Sequence, residues 1–193
     1  ESLSPIEVAL DEAPAAYARL DQDGDVTAIV LRHGDGTAAA PLTPSDRRLD
    51  VKAPKPFGEG TIGAAMIGAG EFARAVILPA LGKSRDIDLR AVAALHGHTA
   101  THAAERFGAA YATTDPAQIF SDDAVEAVWI TTTHESHADL AIRALEAGKH
   151  VFLEKPIALT VSDARKVVRA AATDRILTVG FNRRFAPASS FVA

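Results

Sequence analysis

The chain has 193 residues, 48% hydrophobic and 23% charged, which is enough apolar material for one full domain and part of another. Its net charge of −5 is gathered in residues 1–60, with 11 acids and 6 bases, while residues 61–193 hold 14 of each; there is no basic stripe to support a nucleic-acid partner. No apolar run approaches the roughly 20 residues of a membrane helix, the acidic, polar start lacks the layout of a secretory signal, and the absence of cysteine excludes disulfides and thiolate metal sites and suits a reducing, cytoplasmic setting.

The first residue is not methionine, which predicts a chain processed or cut from something longer. Asp11-Glu12-Ala13-Pro14 leading into Ala15 to Leu20 predicts a short capped helix, and Val26 to Arg32 a strand, with Gly24 in the turn before it. One helix and one strand bury too little surface to fold alone, so residues 1–52 read as the tail of a neighbouring domain. Pro41, Pro44, Pro54, Pro56, Gly58 and Gly60 mark a junction whose linker proper is 53–60.

From residue 61 to 187 strand and helix alternate. The apolar run Ile62 to Ile67 predicts a buried strand, and Glu71 to about Lys83 a helix that kinks or restarts at Pro79. Leu89 to Leu95 is a second strand, Thr99 to Phe107 a helix stopped by Gly108, and Ala110 to Ala112 a short third strand. Asp115 and Pro116 cap and open a short helix. Val125 to Thr131 is the fourth strand. Ser136 to Asp139 predicts a capping box for a helix running to Ala147, which Gly148 ends. His150 to Leu153 is the fifth strand, and Thr160 to Asp163 caps a helix that presents Val161, Ala164, Val167, Val168 and Ala171 on one face. Ile176 to Phe181 is the sixth strand. This alternation predicts an α/β fold with a doubly wound parallel sheet.

In such a sheet a ligand lies beyond the C-terminal ends of the strands. After the first strand comes Gly68-Ala69-Gly70-Glu71-Phe72-Ala73, a G-x-G-x-x-A turn opening a helix. Gly68 permits a tight turn, Gly70 lets the backbone approach phosphates, and Ala73 lets the helix sit close on the strand. The helix start then turns free N–H groups toward a dinucleotide pyrophosphate. After the second strand stand His96, Gly97, His98 and Thr99, with no acid to hold a free ribose 2′-hydroxyl; this leaves NAD and NADP open and leans toward NADP. After the fourth, Thr131, Thr132, His134 and His137 are placed to line a nicotinamide–ribose pocket; the His134-x-x-His137 spacing straddles a helix start rather than one helical face, so no metal site is expected. After the fifth come Glu154, Lys155 and Pro156. A lysine fixed by a proline can set an ammonium beside a reacting oxygen, with Glu154 to orient it. Work as a base requires burial or a second cation to lower its proton affinity. After the sixth, Asn182, Arg183 and Arg184 can grip an anionic substrate or cofactor, or pair with acids at a domain junction.

Two resemblances follow from these motifs. The G-A-G-x-x-A turn, Ala144 to Pro156 (A-L-E-A-G-K-H-V-F-L-E-K-P) and Gly180 to Pro187 (G-F-N-R-R-F-A-P) resemble the glucose–fructose oxidoreductase / inositol dehydrogenase / rhizopine-catabolism (Gfo/Idh/MocA) family. The resemblance implies a nicotinamide dinucleotide fold and hydride transfer at a hydroxyl or carbonyl carbon of a sugar, cyclitol or related polyol. It implies that Lys155 stands near both nicotinamide and substrate as the catalytic residue, with Asn182 and Arg183 on the substrate side. The family's second domain should begin near Pro187, so 188–193 read as its start, and the substrate platform and oligomer-forming sheet are expected beyond Ala193. Asp11 to Leu20 and Asp25 to Arg32 resemble the closing helix and strand of a medium-chain alcohol dehydrogenase-like domain, as in bacterial two-domain oxidoreductases. The rival reading is a non-catalytic sensor or assembly subunit that keeps the dinucleotide as a structural ligand.

Overall fold

The computed structural model describes residues 5–22, 28–32, 43, 47–53, 60–172, 174–186 and 189. These fall into two compact units, 1–41 and 42–193. In the first, β1 (Ile6–Ala9) runs parallel to β2 (Ile29–Arg32), with α1 (Ala13–Gln22) between them. The predicted helix is present, opened by a 3₁₀ turn at Leu10–Glu12 in which Glu12 accepts the Ala9 N–H at 3.3 Å. β1 was not foreseen; Gly24, Val26 and Thr27 lie outside the described residues.

The second unit is one seven-stranded sheet. Its strands are β3 (Arg48–Asp50), β4 (Ile62–Ile67), β5 (Ile87–Ala93), β6 (Tyr111–Thr113), β7 (Ala127–Ile130), β8 (His150–Leu153) and β9 (Leu177–Val179), in spatial order β3-β6-β5-β4-β7-β8-β9. All neighbours are parallel except β3, which runs antiparallel on β6. β3 lies in the stretch that sequence assigned to the upstream tail; its alternation is too short to read, and only its partner β6 makes it a strand. Arg48 is held there by stacking its guanidinium 3.7 Å from the Tyr111 ring centroid.

Because β4 is central, both of its faces are buried. Ala65 and Ile67 pack with Val128, Ile130, Leu153 and Val167 under α5 (His137–Glu146) and α6 (Val161–Ala170). Met66 packs on the other face with Leu78, Val92, Ala100 and Ala104, under α2 (Leu78–Lys83) and α3 (Gly97–Phe107). The small residues Ala64, Ala65, Ala91 and Ala93 are fully or almost fully buried and let the helices lie close to the sheet.

Several local expectations are met by their stated causes. Asp115 accepts the Ala117 N–H at 3.0 Å and Pro116 opens α4 (Pro116–Phe120). Thr160 accepts the Asp163 N–H at 3.1 Å, and Gly108 and Gly148 end α3 and α5 with φ of +78° and +75°.

The restart expected at Pro79 is present: a π turn over Ala73–Ile77 gives way to α2 at Leu78, with Pro79 in its first turn, where the missing proline N–H costs no helical bond. Other expectations are corrected. Ser136 forms no capping box. A 3₁₀ turn at His134–Ser136 precedes α5, and the Ser136 hydroxyl turns back to Thr132 Oγ1 (2.7 Å) and the Thr133 carbonyl (2.9 Å). On α6 only Val167 is fully buried; Val161 and Val168 stand 72% and 61% exposed at the margin of the stripe that faces α5.

Candidate functional site

The strand order places the topological reversal at β4, whose neighbours β5 and β7 lead away in opposite directions. Above the C-terminal ends of these strands lies a cleft of about 660 Å³, within the range of small-molecule and cofactor sites. Its floor is Ile67, Gly68, Ala69 and Gly70. One wall is Ala93 to His96 with Thr99, Thr114 and Pro116; the other is Thr131, Thr132, Thr133, Ser136 and Leu140.

The glycine turn is built by its neighbours. Gly68 has φ +97°, and a Cβ on it would stand 2.7 Å from the Thr131 carbonyl carbon and oxygen. The closeness has a purpose in the ladder: Gly68 N–H donates to Ala93 O, Thr131 N–H to Ile67 O, and the Thr131 hydroxyl to Gly68 O at 2.6 Å. Gly68 is therefore required by the packing of β4 against β7 and not only by the turn. Gly70 differs. A Cβ there would meet no atom within 4 Å, so the protein itself leaves that space open on the floor of the cleft.

Of the residues singled out on sequence, Gly68, Ala69, Gly70, Thr131 and Thr132 line this cleft, as do His96 and Thr99. The Thr131 hydroxyl donates to Gly68 O, and the Thr132 hydroxyl accepts from Ser136 Oγ. Glu71 and Phe72, at the helix start, and His134 are exposed and outside the cleft wall. His137 is fully buried; its ring lies between two backbone carbonyls, Pro156 O (2.7 Å) and Thr132 O (3.1 Å), and does not face the cleft. His134 stacks edge-on against it, with centroids 5.5 Å apart. Among the described residues no group of three or more His, Asp or Glu could hold a metal ion.

The second cluster lies one strand further out. Past the end of β8, Glu154 Oε2 accepts the Lys155 backbone N–H at 3.2 Å. Its carboxylate rests where a Cβ on Gly180 would be, 2.7 Å from Oε1. The Lys155 side chain is exposed and is not among the residues walling the main cleft. Asn182 and Arg183 sit exposed in a 3₁₀ turn just past β9.

Sequence reasoning missed Arg74, Leu95, Thr114 and Pro116 as cleft residues, whereas Thr133 and Ser136 lie in the hydroxyl-rich stretch it placed at the pocket. Arg74 follows the glycine motif by one residue and turns back, its Nε donating to Gly70 O at 3.4 Å. Thr114 and Pro116 follow a strand only three residues long, and the rule that ligands gather at strand ends would have found them.

A parallel sheet that reverses at a glycine turn, with an open cleft over that turn, defines a dinucleotide-binding Rossmann domain. The GFO_IDH_MocA profile, the oxidoreductase family with an NAD-binding Rossmann fold, matches residues 62–181, and the chain belongs to that family. It is 44% identical over 69 residues to an inositol 2-dehydrogenase of Salmonella paratyphi B, covering 35% of this chain and 20% of that protein. It is 39% identical over 82 residues to a myo-inositol 2-dehydrogenase of Thermotoga maritima, covering 42% and 25%. Among solved structures, KijD10, a 3-ketoreductase from Actinomadura kijaniata in complex with NADP, aligns with a TM-score of 0.63 at 30% identity, covering 68% of this chain and 42% of that one. The chain thus spans a quarter or less of the length of these two dehydrogenases.

Proposed function

We propose that this chain carries the cofactor-binding domain of an NAD(P)-dependent oxidoreductase acting on a hydroxyl or carbonyl carbon of a sugar, cyclitol or related polyol. The observation that carries the reading is the open space off Gly70, on the floor of a cleft at the sheet's reversal point. The pyrophosphate would lie against the backbone of Gly68 to Phe72. Thr131 to Thr133 would border the nicotinamide ribose, and Glu154 and Lys155 the reacting end. Exposed Leu95, at the cleft edge, offers an apolar surface to a flat base. The wall after β5 holds Leu95, His96 and Thr99 with Arg74 nearby and no acid, which favours NADP.

When bound, the nicotinamide supplies or accepts hydride. The chain's own part is to orient and to manage a proton. Glu154 holds the Lys155 backbone, leaving the ammonium free to stabilise or shuttle the proton on the substrate oxygen. Asn182 and Arg183, on the neighbouring strand end, would engage the substrate. In the full-length protein, Lys155→Ala should lower turnover by about 10²–10⁴-fold, the usual weight of a general acid or base, and leave NADH and NADPH titrations unchanged. Unchanged turnover would remove Lys155 from the chemistry. Dinucleotide binding without hydride transfer on any sugar or cyclitol would favour a sensor or assembly role, and no binding of either cofactor would overturn the reading entirely.

We also propose that the first unit, residues 1–41, is the closing part of a medium-chain alcohol dehydrogenase-like domain; residues 42–52 go with the family domain, whose sheet includes β3. The presence of α1 over the Asp11 to Leu20 motif supports this. The residues encoded upstream of Glu1 test it; a reading frame without the rest of such a domain there overturns it.

A further inference from the structure

The β7–β8 ladder ends where Glu154 N–H donates to Ile130 O at 2.9 Å. Beyond that rung the two chains leave the sheet as separate loops. One carries Thr132, which walls the cleft; the other carries Lys155 and Pro156. Across the gap each presents a carbonyl oxygen, of Thr132 and of Pro156. Two acceptors cannot bond each other, so a donor group must stand between them. His137, the first residue of α5, fills that place: its Nδ1 is 2.7 Å from Pro156 O, its Nε2 is 3.1 Å from Thr132 O, and the residue is 0% exposed. A neutral ring donates to one of the two carbonyls, and a doubly protonated ring to both. The rest of the buried face of α5 is Leu140, Ala141, Ala144 and Leu145. An aliphatic side chain would suit that face equally well, so burial alone does not account for an imidazole here.

We infer that His137 is a positioning residue for Lys155. It acts as an extra rung past the end of the sheet, fixing the Lys155–Pro156 backbone against the cleft wall. Glu154 holds the N–H of Lys155 and His137 holds the carbonyl of Pro156, so the backbone is pinned on both sides and only the ammonium arm is free. The inference rests on the reading of Lys155 given above.

Three substitutions in the full-length protein separate positioning from mere packing. An asparagine amide reaches from the Nδ1 position and keeps the bond to Pro156 O; a glutamine amide reaches from the Nε2 position and keeps only the bond to Thr132 O; leucine keeps neither. Amide hydrogen exchange of the peptide spanning 153–158 needs no substrate. It should quicken at least tenfold in His137→Gln and His137→Leu and return toward the parent rate in His137→Asn. With myo-inositol and other cyclitols or sugars that the parent oxidises, turnover should fall about 10–100-fold in the Gln and Leu variants, the scale of a displacement near 1 Å. His137→Asn should recover most of that loss. Cofactor Kd, from NADH and NADPH fluorescence, should stay within about threefold of the parent in all three. Equal losses in the Asn and Gln variants, or full turnover in the Leu variant, would overturn the inference. Lys155→Ala is run alongside. If it leaves turnover intact, the reading of Lys155 has failed; if it abolishes turnover while His137→Gln does not lower it, only the role of His137 has failed.

Discussion

Gly68 and Gly70 stand two residues apart in one turn, yet a methyl group added at each should have opposite consequences. At Gly68 the Cβ would lie 2.7 Å from the carbonyl carbon and oxygen of Thr131 and 2.8 Å from the Thr132 nitrogen. These are backbone atoms and cannot rotate aside. A left-handed backbone costs an L residue about 1–2 kcal/mol, and forced overpacking about 1–3 kcal/mol. Gly68→Ala should therefore lose about 3.5 kcal/mol, the middle of that sum, and lower Tm by roughly 7–14 °C at the sensitivity of domains this large. Gly70 has no positive φ and nothing within 4 Å of its missing Cβ. Gly70→Ala should melt with the parent, or be stabilised by about 0.4–1 kcal/mol through a narrower unfolded ensemble. The same methyl would occupy the space through which a pyrophosphate must approach. Calorimetry and titration of NADH and NADPH fluorescence check both arms. The expected pattern is early melting for Gly68→Ala, and normal melting with at least tenfold weaker binding, about 1.4 kcal/mol, for Gly70→Ala. A Gly70→Ala protein that binds both cofactors as the parent does would refute the placement of the phosphates on this turn. Unchanged melting of Gly68→Ala would refute the close-approach argument.

Gly180→Ala would meet the flexible end of Glu154 first, with Phe152 Cζ at 3.1 Å. The carboxylate can swing away, so stability should drop only about 1 kcal/mol while turnover of the full-length protein falls, because Lys155 N–H loses its acceptor; a large Tm loss with intact turnover would contradict this. Tyr111 donates to Asp122 Oδ2 at 2.9 Å, and Tyr111→Phe should cost about 1–3 kcal/mol in thermal unfolding. Burial, and then the Asp122 charge, push the Tyr111 phenol well above the usual tyrosine range. The folded state thus holds this proton more tightly than the unfolded one, so stability should fall as pH rises past about 10, where an unfolded tyrosine ionises, and less steeply in Tyr111→Phe. The Asp163 carboxyl is held below its ordinary range by hydrogen bonds from Lys166 and Thr160. Its contribution is present above the ordinary aspartate range and is lost as pH falls through the depressed value. The Tm gap between the parent and Asp163→Asn should accordingly close in strong acid, and a gap that persists there would show that the bonds to Asp163 act through something other than its charge.

The order of strands and helices after residue 61 is legible in the sequence because local rules carry it: apolar runs with the strand period, Asp115 and Thr160 as caps, Gly108 and Gly148 as stops. The glycine turn and the E-K-P block are likewise legible, since each is contiguous and follows a strand. What the chain could not reveal locally is what depends on a distant partner. β3 is a strand only because β6 lies beside it. Gly68 is constrained by Thr131, 63 positions away, and not by the turn alone. His137 reads as a cleft histidine from its place after a strand, and only the convergence of two loops turns its ring inward onto Thr132 O and Pro156 O. Thr114 joins the cleft because strands far apart in sequence end side by side. Local propensity and spacing decide which elements form, whereas close approaches and the direction of a side chain are set by the packing of residues that the sequence keeps far apart.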